Sequence, residues 1–103
     1  MNAPHVILTS KPGQFSTVAG RGLQPIEAWE YWFGGRLRAR FVIARLDAET
    51  RIEITDEAPP RPVNRIPTRL LPRFATLQAA RDEIACLAVP VAGADTRLVR
   101  AAV

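Results

Sequence analysis

Five prolines fall between residues 59 and 72, in "DEAPPRPVNRIPTRLLPRF", and they limit what this chain can become. Proline has no amide N–H and a fixed φ, so this stretch cannot form a regular helix or a central strand. It reads as an extended Pro/Arg-rich loop over 57–74, packed by Ile66, Leu70 and Leu71. A loop of that length is unusual in a small domain. It is either a functional segment or hides a short strand near "VNRI". The regular elements must come from either side of it. With 103 residues in all, a single small domain over 1–103 is expected.

Upstream, "HVILTS" (residues 5–10) is β-branched and apolar on both parities, which suits a central strand covered on both faces. "KPGQF" is a turn signal, and residues 11–24 read as a loop. "QPIEAWEYWFGG" predicts a short helix. Pro25 fits the first helical position. Glu27 and Glu30 lie near the positive end of the helix dipole. Ile26, Trp29, Trp32 and Phe33 share one face, and Gly34-Gly35 stops the element.

"RLRARFVIARL" (residues 36–46) alternates, and so predicts a strand. Leu37, Ala39, Phe41 and Ile43 point one way, and Arg36, Arg38 and Arg40 the other. "RIEIT" follows. A loop of four residues, Asp47 to Thr50, sets Leu46 opposite Arg51 and Ile43 opposite Ile54, keeping the apolar faces together. Arg45 falls on the apolar parity, which predicts a bulge or an end effect there. Downstream of the prolines, "TLQAARDEIACLAV" predicts a helix with Thr76 as N-cap and a stripe of Leu77, Ala80, Ile84, Leu87 and Ala88. Pro90 ends it. In the tail, 91–103, "TRLVRAAV" reads as a short last strand or a frayed end.

The expected class is therefore α+β, with the ferredoxin-like order βαββαβ: a four-stranded antiparallel sheet carrying both helices on one face. The first and third strands are then central, and residues 36–46 form an edge guarded by charge.

The formal net charge is +4, which favours anionic partners. Lys11 is the only lysine among fourteen basic residues, and alanine is abundant. A GC-rich bacterial genome produces the same bias without selection for binding. Two basic elements remain candidate contact surfaces. Arg36, Arg38 and Arg40 would stand about 7 Å apart on one strand face, near the spacing of phosphates along a nucleic acid. The stacking aromatics of an RNA-binding sheet are missing from the expected central strands, so a solvated edge balanced by Glu53, Asp56 and Glu57 is the plainer reading. Arg61, Arg65, Arg69 and Arg73 recur every four residues, but Pro62, Pro67 and Pro72 forbid the helix that would align them. "PPRP" instead satisfies a polyproline contact pattern. Tyr31, in a run of aromatics that cannot all face inward, joins these arginines as a candidate contact residue.

Chemistry beyond binding is poorly supported by the residues. His5 is the only histidine and Cys86 the only cysteine, so neither a metal site nor a catalytic set is legible, and no cofactor is expected. "GQFSTVAGRG" fails the phosphate-loop and dinucleotide spacings, though Lys11 and Arg21 leave a weak anion site open. No run of eighteen apolar residues occurs, so no membrane partner is expected. The N-terminal residues lack the pattern of a secretory signal, and a lone cysteine suits a reducing, cytoplasmic setting. The leading expectation is a non-enzymatic accessory domain that contacts another protein or its own copy. Nucleic-acid binding through the arginines is the first alternative. The second is a ligand pocket or small enzyme formed between two ferredoxin-like protomers, lined by His5 or arginines.

Overall fold

The computed structural model describes residues 3–103. It is mostly β, and it overturns the two-helix ferredoxin-like expectation. The strands are β1 (His5–Ser10), β2 (Phe15–Val18), β3 (Leu23–Phe33), β4 (Arg36–Leu46), β5 (Arg51–Asp56), β6 (Val63–Pro67) and β7 (Thr96–Ala101). A 3₁₀ turn covers Thr68–Leu70, and α1 (Leu77–Leu87) is the one α-helix among the described residues. The strands form two antiparallel sheets, one ordered β1-β4-β3-β7 and the other β2-β5-β6.

The largest correction falls on residues 25–33. They form all but the first two residues of β3, not a helix. Trp29, Tyr31, Trp32 and Phe33 prefer a pleated surface, and two glycines between two apolar runs make a tight hairpin turn. Gly34 and Gly35 sit at φ 56 and 78, and Phe33 faces Arg36 across the turn. Pro25 is tolerated because β7 reaches only to Ala28, so β3 has a single neighbour at Pro25. Ile26 is the extra residue of a bulge immediately after it.

The second correction concerns "RLRARFVIARL". It is no charged edge but a central strand, paired with β1 on one side and β3 on the other. It does not form a ribbon with residues 51–55, which lie in the second sheet between β2 and β6. The physical reason lies in its C-terminal half. Ala39, Phe41 and Ile43 pack on α1 through Ala80, Ile84 and Ala88. Ala44 and Leu46, on the opposite parity, pack with Val6, Leu8, Leu23 and Ile52 beneath the second sheet. A strand apolar on both faces is buried on both, whatever charge precedes it. Arg45 reaches solvent at the strand end and pairs with Asp47 at 2.7 Å.

The architecture is thus helix, four-stranded sheet, three-stranded sheet, with one core on each side of β4. "HVILTS" is an edge strand rather than a central one, although Val6 and Leu8 are buried. A short strand, β2, lies inside the expected 11–24 loop, and β6 lies inside the proline-rich segment where "VNRI" hinted at one. β7 is a strand, not a frayed tail. The α1 expectation holds: Thr76 Oγ1 accepts from the Ala79 N–H at 3.1 Å, and Ala80 and Ile84 are buried. The stripe overshoots at one point, for Leu87 is 56% exposed. No helix among the described residues is long and apolar enough to cross a membrane.

Candidate functional site

An open cleft of about 370 Å³ lies beside Leu87, the last residue of α1. Tyr31 from β3, Phe41 from β4 and Leu87 from α1 give it an apolar lining, while Lys11, Gln14 and Arg38 bring the polar groups. That size and mixture fall within the range of ligand-binding clefts. The Tyr31 hydroxyl donates to the Val89 carbonyl at 3.3 Å, tying the segment after α1 to the sheet. Leu87, Val89 and Val91 are all more than half exposed. Neither Lys11 nor Arg38 has an acidic partner among the described residues.

A bulge positions Arg38. Tyr31 faces Ala39 and Trp32 faces Leu37, so Arg38 is the extra residue on β4. Its guanidinium lies 5.2 Å from the centroid of the Phe33 ring, a favourable cation–π distance. The bulge also breaks the expected arginine face. Residues directly opposite one another share a sheet face. Arg36 therefore lies with Phe33, and Arg40 lies with Glu30 on the other face. Arg40 is engaged there by Glu30 at 3.6 Å and by the Ala102 carbonyl at 2.6 Å.

The second arginine series is likewise dispersed. Arg61 stands in a turn at φ 59, and Arg65 on β6 pairs with Glu53 at 3.2 Å. Arg69 is exposed on the 3₁₀ turn, and Arg73 pairs with Glu49. That contact, together with the Thr68 hydroxyl, holds the Glu49 carboxyl below its ordinary value. Of the eight candidate contact residues, the structure brings only Tyr31 and Arg38 into one cleft. Lys11 was legible as a weak anion ligand. Gln14, Phe41 and Leu87 were not, because nothing local signals that they converge.

A second polar cluster escaped the sequence entirely. Glu27 is wholly buried, and its carboxylate accepts from Arg81, from the Trp29 indole N–H at 2.9 Å and lies 3.2 Å from Arg100. Burial pushes its carboxyl up. The hydrogen bonds and charge of Arg81, the charge of Arg100 and the indole outweigh this and hold it below the ordinary value. The cluster is a structural clamp joining β3, α1 and β7.

Cys86 is exposed on α1, while His5 Nδ1 is buried without a hydrogen-bond partner, its backbone bridged to Phe74 at 2.8 Å. Among the described residues no group of three or more His, Cys, Asp or Glu is placed to hold a metal ion. Comparison with protein-family models, with curated proteins and with solved structures finds no match for this chain.

Proposed function

We propose that this chain is a small non-enzymatic accessory module that binds an acidic segment of another protein, anchored by an apolar side chain, in the cleft beside the end of α1. One observation carries the reading: two cations without an acidic partner among the described residues, Lys11 and Arg38, line a cleft together with Tyr31, Phe41 and the exposed Leu87. Apolar area supplies affinity, and the cations select an acidic partner and speed its approach. The net charge of +4 supports the same sign of partner. A cytoplasmic setting belongs to this proposal, since Cys86 is exposed and unpaired.

The test uses two synthetic octapeptides, each with a central leucine, one flanked by glutamates and the other by lysines. Binding is followed by amide chemical shifts. The glutamate peptide is expected to shift Tyr31, Phe41 and Leu87, and the lysine peptide to leave them unmoved. The double variant Lys11→Glu, Arg38→Glu should weaken the glutamate peptide by about two powers of ten, as expected for reversing two interfacial charges. Equal binding of both peptides, or shifts confined to other surfaces, would overturn the reading. So would tight, steeply salt-dependent binding of single-stranded RNA at the same cleft, which would favour the nucleic-acid alternative.

A further inference from the structure

The four-stranded sheet has two outer strands, and they are guarded differently. Along β1 the outer edge is occupied: His5 bridges Phe74, Lys11 bridges Phe15, and the Thr9 carbonyl accepts from the Thr17 hydroxyl. In the smaller sheet, β6 is bounded by Pro62 and ends at Pro67. β7 has no such protection. The Gly34 N–H donates to the Asp95 carbonyl at 2.8 Å, and the pairing alternates from there. Arg97, Val99 and Ala101 therefore turn their backbone groups to β3, while Thr96, Leu98 and Arg100 turn theirs outward. None of these outward N–H or C=O groups has a hydrogen-bond partner among the described residues. An uncovered edge of this kind is a template for another strand.

Charge is the usual guard of such an edge, and here both arginines, though more than half exposed, are drawn to acids of the same chain. Arg100 is drawn to Glu27 at 3.2 Å and lies 5.8 Å from the Trp29 ring centroid. Arg97 pairs with Asp95 at 3.4 Å. Register supplies the choice of partner. Outward residues must meet outward residues, so antiparallel self-pairing can shift only in steps of two. With Leu98 opposite Leu98, Thr96 meets Arg100 and Arg97 meets Val99 of the second copy. All three outward residues of each chain are then paired, and no arginine faces an arginine. A slip of one step in one direction sets Arg97 against Arg97. A slip in the other direction leaves Thr96 unpaired.

We propose that β7 is a homodimer interface, in which two copies join edge to edge about a two-fold axis through Leu98. The result is one eight-stranded sheet with both α1 helices on the same face. An isologous contact of this kind closes on itself and leaves no further edge on that side. The proposal is independent of the peptide cleft, which takes none of its lining residues from β7.

Sedimentation across a wide concentration range tests it, together with the variant Leu98→Pro. The Leu98 N–H points away from β3, so proline there removes an intermolecular donor and no intramolecular one. The wild type is expected to reach twice the 11.4 kDa chain mass, and the variant to stay at the chain mass with an unchanged circular dichroism spectrum. A wild type that remains monomeric throughout, or a folded variant that still dimerises, overturns the proposal. Should the variant unfold, amide exchange in the wild type decides. Exchange at Thr96, Leu98 and Arg100 slowing by about tenfold or more as dimer forms supports it. Exchange there that does not change with concentration overturns it.

Discussion

Arg81 and Glu27 stand fifty-four residues apart in the chain and meet in a bidentate ion pair. Arg81 Nε lies 3.0 and 3.1 Å from the two carboxylate oxygens, and Nη2 lies 2.8 Å from one of them. The carboxylate is 1% exposed and the arginine 37%, so the two partners are not equivalent. Removing Arg81 strands a buried charge. Removing Glu27 releases two arginines to water. Arg81→Met is therefore expected to destabilise the fold more than removing the carboxylate does, although Arg100 and the Trp29 indole remain to partner Glu27. Glu27→Gln should cost less, about 1.5 kcal/mol, the lower end for hydrogen bonds to a charged group. Urea denaturation of both variants checks the order, which is the reverse of what equal burial would give.

The same carboxylate makes stability depend on pH. Its folded value lies below the ordinary 4.5, so on acidification the unfolded chain takes up the proton first. The clamp's contribution is complete above the ordinary value and is lost as pH falls through the lowered folded one. Denaturation midpoints measured from neutral pH downward should fall through that window. The fall should be shallower in Glu27→Gln, and a Gln variant that tracks the wild type would remove Glu27 as a cause.

Gly22 holds the crossing between the two sheets. Its φ is +88, a Cβ built there would lie 2.7 Å from the Ala48 carbonyl oxygen, and its own carbonyl accepts from Asp47 N–H at 2.7 Å. Gly22→Ala combines a left-handed backbone with a clash against backbone, and should cost about 2 kcal/mol or more. Thermal unfolding would read it directly.

The opposite sign is expected at Gly34. It sits at φ 56 in the two-residue turn, with open space around its Cα. Asparagine tolerates that conformation and restricts the unfolded chain. Gly34→Asn should stabilise by about 0.5 kcal/mol, raising the melting temperature by a few degrees. A lowered melting temperature would contradict the turn geometry described above.

Local chemistry in the sequence determined a good deal. It placed β1, the strand spans at 36–46 and 51–55, α1 with its Thr76 cap, and the apolar alternation of Phe41 and Ile43, because turn residues, caps and period-two patterns act over a few residues. It also marked Tyr31 and Arg38 as candidates, and the structure places both in one cleft. Only the tertiary structure decided which strands pair, that residues 25–33 are pleated, that Arg38 bulges away from Arg40, and that Glu27 is buried beneath Arg81. Each of those outcomes depends on what lies across the sheet. Ile26, Trp29 and Trp32 satisfy a helical spacing, whereas in the strand Trp29 and Trp32 face opposite sides of the sheet, and the choice falls to the neighbour available to cover them. For β3 that neighbour is β4, brought alongside by two glycines, and hydrogen-bonded pairing with β4 and β7 outweighs any helix that nine residues could form alone.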